Sequence, residues 1–227
     1  MTGAARAGAR LVVLDNLYGY GPPRGQRLIE TMTANPTSGK AATRAAMTEA
    51  LLHAHEAGQV EVAIGRASDY FGPGATQSAL GETVFDRALT GRTAQVMGNP
   101  DQLHSYSYTP DVAAGLATLA TAAGTTGQIW HLPAPETRTT RQVINEVYRL
   151  AGHRPRLIAA GRPALMAIGI VQPAMREYRH TLYQFTVPWV VDDSKFRAAF
   201  GDHSTPLNEA LKTTLDWYRD RTAVAAH

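Results

Sequence analysis

Among the side chains of this sequence that could transfer protons in a small-molecule site are Tyr18, Tyr20, Asp69 and His104. An unperturbed tyrosine has a pKa of about 10, so it is a poor base near pH 7. A nearby cation stabilises the phenolate and fits the tyrosine for general acid/base work. An acid/base site that uses Tyr18 or Tyr20 therefore needs a basic side chain close to the phenol.

Nucleophilic and metal-dependent chemistries are not favoured by the residue types. The sequence has 0 Cys, which excludes disulfides, thiolate metal ligands and cysteine nucleophiles. His53 and His55 stand two residues apart on a predicted helix, so their side chains point in different directions. Neither a His-Glu-x-x-His nor a Gly-x-Ser-x-Gly motif occurs. We therefore expect neither a metal site nor a serine nucleophile.

The glycines Gly19, Gly21 and Gly25 follow an apolar run and look superficially like a dinucleotide-binding fingerprint. The third glycine is out of register, and Pro22 and Pro23 stand where the phosphate-binding helix would begin. No acidic residue closes a second strand about 20 residues later. We predict that this segment is an ordinary loop and that the sequence contains no glycine-rich cradle for a pyrophosphate.

The elements that must position the reactive groups follow the order of a parallel α/β sheet. Residues 10–15 hold four consecutive apolar residues and predict a buried strand, and residues 16–24 predict the loop after it. Residues 38–57 predict an alanine-rich helix that ends at Gly58, and residues 60–64 predict the next strand. Strand, loop, helix and strand in this order indicate a βαβ unit.

Three predictions concern the rest of the chain. The apolar spacing within residues 80–89 predicts a second helix. Thr139 and Gln142 have the spacing of a capping box and predict the start of another helix. Residues 157–187 are apolar and interrupted by two prolines, and they predict further helix with breaks.

Five short segments, taken together and in order, carry a family resemblance. They are Asp15-Asn-Leu-Tyr-Gly-Tyr-Gly21, Lys40 with Ala41-Ala42, Ile64-Gly-Arg-Ala-Ser-Asp-Tyr-Phe-Gly-Pro-Gly74, His104-Ser-Tyr-Ser-Tyr-Thr-Pro-Asp-Val-Ala113, and Val190-Val-Asp-Asp-Ser-Lys-Phe-x-x-x-Phe-Gly201. Their order and spacing resemble the extended short-chain dehydrogenase/reductase family, which includes the NAD-dependent sugar epimerases and dehydratases. The match runs from about residue 5 to residue 220.

The resemblance begins inside the family's sheet. In the family, an N-terminal part with the first strand, the glycine-rich loop and the acidic ribose ligand precedes this point. The resemblance implies an α/β fold with a partial Rossmann-type parallel sheet, whose N-terminal strands are missing, and a small C-terminal substrate lobe. Residues 1–132 would form the incomplete Rossmann-like part, with an insertion of the substrate lobe near residues 72–100. Residues 133–227 would form the C-terminal substrate lobe and the final helices.

The resemblance also assigns catalytic roles. In the family a tyrosine is the general acid/base, a lysine lowers its pKa and binds the nicotinamide ribose, and a serine hydrogen-bonds the reacting oxygen. Lys40 matches the lysine, Asn16 stands at the serine position, and Pro36 stands where the tyrosine is expected. Tyr18 and Tyr20 lie on the same loop as Asn16, and either phenol could substitute for the missing one.

Binding contacts follow from the same resemblance. The cofactor-binding residues that it implies are Asp15, Asn16, Lys40, Ala67 and Ser68. Asp69 falls where the family often has a polar residue that faces the substrate. His104 falls where nucleotide-sugar enzymes carry an arginine that clamps the diphosphate, and histidine lacks that bidentate, permanently charged fork.

These assignments imply an NAD(P)-dependent epimerase/dehydratase-like protein, in a truncated or degenerate form, that acts on a hydroxyl or carbonyl of a small molecule. NAD(P) is implied as the cofactor, although the pyrophosphate-binding loop is absent from the sequence. Two alternatives stay open. One is a cofactor-independent isomerase, lyase or cyclase that uses Tyr18, Tyr20, Asp69 and His104. The other is a non-catalytic small-molecule binding module.

The composition and charge of the sequence limit the kinds of binding partner that we expect. The net charge of +3 is small and the basic residues are scattered, so we expect no nucleic acid partner. No apolar run approaches the roughly 18 residues of a membrane helix. A strand at residues 10–15 without its neighbour has an open edge, which predicts a homo-oligomer or a missing N-terminal partner. The lack of cysteine fits a reducing compartment, and we expect a cytoplasmic location.

Overall fold

The computed structural model describes residues 1–161 and 178–225. The strands are β1 (Leu11–Asp15), β2 (Val62–Arg66), β3 (Asp69–Phe71), β4 (Ala94–Met97), β5 (Leu103–His104), β6 (Tyr106–Tyr108), β7 (Gln128–His131), β8 (Arg138–Thr139) and β9 (Leu157–Ala160). The helices are α1 (Thr2–Arg6), α2 (Gly39–Glu56), α3 (Phe85–Leu89), α4 (Thr109–Thr121), α5 (Thr140–Ala151), α6 (Tyr178–Thr181), α7 (Ser194–Phe200) and α8 (Leu207–Ala225).

The described residues divide into two compact units, and each is built from three separate stretches of chain. Unit 1 comprises residues 1–68, 110–134 and 191–204. Unit 2 comprises the described residues within 69–109, 135–190 and 205–227. None of the described helices is both long and apolar enough to cross a lipid bilayer.

Unit 1 is built on a parallel three-stranded sheet in the order β1-β2-β7. The predictions of strands near residues 10–15 and 60–64 and of the helix between them are confirmed to within two residues. β2 is buried on both faces, as expected for the central strand of a parallel sheet. A Cβ atom at Gly65 would lie 3.1 Å from Leu116 of α4 and 3.0 Å from Leu132, so glycine lets that helix approach the strand closely.

Arg10, just before β1, closes the carboxyl end of α4. One guanidinium nitrogen, Nη1, donates to the backbone oxygens of Leu119, Ala120 and Ala122 at 3.1, 3.1 and 2.7 Å, and to Thr125 Oγ1 at 3.1 Å. The last carbonyl groups of a helix have no partners within the helix, and they carry partial negative charge. A cation at this position therefore ties the start of β1 to the end of α4.

Unit 2 has a core of aromatic and aliphatic side chains around α3, α5 and α8. Its members include Phe71, Phe85, Tyr148, Leu211 and Tyr218. Three two-stranded ladders surround this core: β3 with β6 and β4 with β9, both parallel, and β5 with β8, antiparallel. The predicted capping box is confirmed at the start of α5, where Thr139 and Gln142 each accept the other's backbone N–H, at 3.1 and 3.0 Å.

Two helix predictions in unit 2 are wrong in part. Within residues 80–89 only Phe85–Leu89 is α-helical, and the residues before it form turns, in which the N–H of Gly81 donates to Ser78 O and the N–H of Glu82 to Thr76 O. Residues 157–160 form strand β9 instead of helix, because β4 offers them a parallel partner. Residues 178–181 and 182–185 are short helices, and the rest of the predicted helical stretch lies outside the described residues.

We expect Arg10→Met to lower the free energy of unfolding by about 1–2 kcal/mol, because the last carbonyl groups of α4 lose their hydrogen-bond donor. Urea unfolding followed by circular dichroism measures the change. Arg154→Met, at an exposed arginine of unit 2, is the matched control and should leave stability within about 0.5 kcal/mol. Equal stability of the two variants would contradict the capping role.

The open edge of β1 generates a second prediction. Among the described strands β1 pairs with β2 alone, and Leu14 is 39% exposed. An unpaired apolar edge favours association, so we expect the purified chain to form dimers or larger species. Leu14→Lys should shift it toward monomer in size-exclusion chromatography with light scattering, whereas Leu103→Lys, at another exposed leucine, should not. A wild-type chain that stays monomeric at high concentration would refute this.

Candidate functional site

The carboxyl ends of the three strands of unit 1 bring polar side chains together. Asp15, Arg66 and His131 are the last residues of β1, β2 and β7, and they are neighbours in the parallel register. Open α/β sheets bind their ligands at the carboxyl ends of the strands. This edge of the sheet is therefore the candidate site of unit 1.

A buried ion pair holds the ends of β1 and β2. Arg66 Nε donates to Asp15 Oδ2 at 3.0 Å, and Thr48 of α2 donates to the same oxygen at 3.2 Å. Arg66 Nη2 also donates to Thr48 Oγ1 at 3.1 Å. The side chains of Asp15 and Arg66 are each 6% exposed. Asp15 was predicted as a cofactor contact, and the structure shows its carboxylate engaged with protein partners.

Tyr20 and His131 form a second buried pair at the same edge. The imidazole Nδ1 lies 2.9 Å from the carbonyl oxygen of Asp192, which can only accept, so Nδ1 carries the proton. Nε2 is then the acceptor for the Tyr20 hydroxyl at 2.9 Å. Burial lowers the pKa of His131 and raises the pKa of Tyr20, although the guanidinium of Arg66, 4.6 Å from the centre of the phenol ring, opposes the second shift. The Tyr20 phenol is therefore a hydrogen-bond donor inside the fold and a weak acid.

The other two predicted residues of this loop lie nearer the surface. Asn16 and Tyr18 are both half-buried, and Asn16 Oδ1 accepts the backbone N–H of Tyr18 at 3.0 Å. The amide NH₂ of Asn16 is thus the group that could donate to a ligand. Gly21 has a φ of 68° and lies directly against the carbonyl oxygen of Asn35, so no other residue fits easily there. The backbone N–H of Asn35 donates to Gly19 O at 2.9 Å and closes the loop.

The described helix that follows Gly25 is α2, which begins at Gly39. A phosphate-binding turn leads directly into its helix. Lys40 lies in the exposed first turn of α2, after the N-cap Ser38. α2 runs alongside the predicted catalytic loop, because a Cβ atom at Gly19 would lie 3.7 Å from Ala45 Cβ. The structure thus places Lys40 on the helix that packs against the loop of Asn16, Tyr18 and Tyr20.

Ala67 and Ser68 directly follow β2 and are buried. The backbone N–H of Ala67 donates to the carbonyl oxygen of Asp15 at 3.2 Å, so this group too has a protein partner. Both residues lie at the same strand ends as the Asp15–Arg66 pair. The predicted cofactor contacts Asp15, Asn16, Ala67 and Ser68 therefore share one edge of unit 1.

The predicted substrate residues Asp69 and His104 are direct partners in unit 2. His104 Nε2 lies 2.8 Å from Asp69 Oδ2, and Nδ1 lies 3.2 Å from the carbonyl oxygen of Gln184. The His104 ring is 2% exposed and stands between the rings of Tyr106 and Phe185, at centroid distances of 4.4 and 5.2 Å. The Asp69 side chain is 19% exposed and is the accessible end of the pair.

Sequence reasoning missed Thr48, His131 and Gln184. Thr48 lies on the buried face of α2 and His131 at the end of β7, and their partners are far away in the chain. The position of His131 at the carboxyl end of a parallel strand was the available signal. Among the described residues, no group of three or more His, Cys, Asp or Glu side chains could hold a metal ion.

The buried, neutral His131 predicts a specific dependence of stability on pH. Because its folded pKa lies below the unfolded value of about 6.5, the unfolded chain binds the proton first, and stability falls as pH drops below that value. We expect His131→Gln to remove this part of the fall, up to about 1.4 kcal/mol per pH unit. Urea unfolding at pH 7.5, 6.5 and 5.5 measures it.

The control for this measurement is His53→Gln, at an exposed histidine of α2. It should keep the wild-type slope, whatever its effect at a single pH. An unchanged slope in His131→Gln would show that His131 takes up a proton in the folded state as readily as in the unfolded one.

Comparison with solved structures identifies the fold. A dTDP-glucose 4,6-dehydratase from Bacillus anthracis, in complex with NAD, aligns with a TM-score of 0.75 at 15% identity, over 94% of this chain and 63% of that one. A UDP-glucose 4-epimerase from Thermus thermophilus, in complex with NAD, gives 0.71 at 23% identity, over 95% and 66%. A UDP-glucuronic acid 4-epimerase from Bacillus cereus, in complex with UDP-glucuronic acid and NAD, gives 0.74 at 14% identity, over 93% and 62%.

The chain spans less than two-thirds of the length of the first of these structures. Together they confirm the predicted α/β fold of Rossmann type. A search of curated proteins returns no match. The sequence profile of the NAD dependent epimerase/dehydratase family matches residues 3–132, which is more than half of the chain. On this evidence the protein belongs to the NAD-dependent epimerase/dehydratase family.

Proposed function

We propose that this chain supplies the nicotinamide-side residues and the substrate-side residues of an NAD(P)-dependent enzyme that oxidises or reduces a secondary hydroxyl or carbonyl carbon of a small molecule. Epimerisation or dehydration would follow from that step. The observation that carries the proposal is the packing of α2, which begins with Lys40, against the loop of Asn16 and Tyr18 at the carboxyl end of a parallel sheet. The family match covers this part of the chain.

The residues present fit the nicotinamide end of the cofactor. Lys40 is a cation in an exposed helical turn, and it would contact the ribose hydroxyls. Asp15 and Ala67 are engaged with protein partners, so their role would be to shape the edge and not to bind directly. When bound, the nicotinamide accepts a hydride from the substrate carbon or returns one to it.

The chain's own groups would handle the oxygen and the proton. The NH₂ of Asn16 would donate a hydrogen bond to the reacting oxygen, since its Oδ1 is used by the backbone of Tyr18. Tyr18 is our candidate for the general acid/base, because it is half-buried while Tyr20 lies inside the fold with its hydroxyl donated to His131. The cation of Lys40 would lower the pKa of the Tyr18 phenol when the substrate is bound.

We further propose that the diphosphate end of the cofactor is held by a separate polypeptide segment. The open edge of β1 offers that segment a parallel partner, and the Gly19–Gly25 loop is unsuited to a diphosphate. If so, the chain alone would bind reduced nicotinamide mononucleotide, which lacks the adenylate half, about as well as it binds NADH.

Fluorescence titration of the wild-type chain with NADH and with reduced nicotinamide mononucleotide tests both proposals. We expect saturable binding with dissociation constants within about threefold of each other, because each ligand uses only its nicotinamide half. Lys40→Met should weaken both by about tenfold, roughly 1.4 kcal/mol. Lys212→Met, at an exposed lysine of α8, is the matched control and should change neither.

The outcomes separate the proposals. Failure of both ligands to bind would refute the nicotinamide site and favour a cofactor-independent protein. Binding of NADH more than a hundredfold tighter than the mononucleotide would show that the chain holds the diphosphate end itself. Tyr18→Phe should leave both affinities unchanged and, once a substrate is found, should abolish turnover.

A further inference from the structure

The Asp69–His104 pair of unit 2 has a hydrogen-bond pattern that limits what it can bind. A backbone carbonyl and a carboxylate only accept hydrogen bonds, and these are the partners of the two ring nitrogens of His104. Both nitrogens therefore face acceptors that belong to the protein itself. The rings of Tyr106 and Phe185 pack against the imidazole, at centroid distances of 4.4 and 5.2 Å.

This arrangement leaves His104 with no N–H for a ligand. The imidazole is buried against protein partners, and the accessible group of the pair is the Asp69 carboxylate, at 19% exposure against 2% for the imidazole. A diphosphate placed here would meet the Asp69 carboxylate, and like charges side by side are unfavourable. A hydroxyl group can instead donate to the carboxylate.

The charged neighbours do not reverse this conclusion. Arg138 is the cross-strand partner of His104 on β8, but its guanidinium lies 3.7 Å from Glu136 and lines a cavity beside α5. Gln184 adds a second polar group on the other side of His104. Its buried side-chain Nε2 finds no acceptor among the described residues, and a ligand oxygen would satisfy it.

We propose that Asp69, His104 and Gln184 form a specificity site that accepts an uncharged, polyhydroxylated ligand, such as a free sugar or polyol, and rejects a nucleoside diphosphate. Asp69 accepts hydrogen bonds from ligand hydroxyls, and Gln184 donates to a ligand oxygen. His104 is a positioning residue that holds the Asp69 carboxylate and the backbone of Gln184. The inference rests on the proposed function only in taking Asp69 and His104 to face the substrate.

Binding by the purified chain tests this without any cofactor. The probes are UDP and D-glucose, each followed by saturation-transfer NMR and titration. We expect the wild type to bind D-glucose weakly and UDP not at all. Asp69→Asn keeps an oxygen that accepts from His104 but removes the negative charge, so it should make UDP binding detectable and weaken D-glucose binding at least threefold.

Asp101→Asn, at an exposed aspartate of the same unit that pairs with Arg141, is the control for a general charge effect and should change neither ligand. Saturable UDP binding by the wild type, especially if Arg138→Gln removes it, overturns the proposal. Unchanged binding of both probes in Asp69→Asn also overturns it. NADH titration of Asp69→Asn should match the wild type, so failure of this specificity site is distinguishable from failure of the nicotinamide site.

Discussion

The buried ion pair between Asp15 and Arg66 is the interaction on which the rest of unit 1 depends. It joins the ends of two parallel strands, takes in Thr48 from α2, and places the Arg66 guanidinium against the ring of Tyr20. Removing one partner of a buried ion pair is costly, because the other charge is left buried and uncompensated. The pair therefore fixes, at one point, the strand edge, the helix that carries Lys40 and the loop that carries Asn16.

The polar pair of unit 2 differs from that of unit 1 in how far its two members are exposed. In unit 1 the carboxylate and the guanidinium are equally buried, and the pair is closed to solvent. In unit 2 the imidazole of His104 is inside and the carboxylate of Asp69 reaches the surface. The first arrangement can only support a site, whereas the second presents a chemical group to a ligand. Because of this contrast, we propose a structural role for Asp15 and a role in ligand specificity for Asp69.

Local sequence signals predicted β1, α2 and β2 to within two residues, because apolar runs, Ser38 and Gly58 act on their immediate neighbours. The polar networks could not be predicted in this way. Asp15 and Arg66 are 51 residues apart, and Tyr20 and His131 are 111 apart, so their contact depends on strand register. Strand β9 was missed for a related reason, since its partner β4 lies some sixty residues earlier. The roles that we propose for Lys40 and Asn16 come from the family resemblance and not from spacing.

The chain passes between the two units at residues 68/69, 109/110, 134/135, 190/191 and 204/205. Neither unit therefore corresponds to one continuous segment of the sequence that could be expressed by itself. A stop codon after Ala134 would strip unit 1 of Asp192, whose carbonyl sets the tautomer of His131, and of Asp193, which accepts the N–H of Ala134. The bonds of Asp192 and Asp193 to His131 and Ala134 therefore form only after the chain has been synthesised as far as the start of α7.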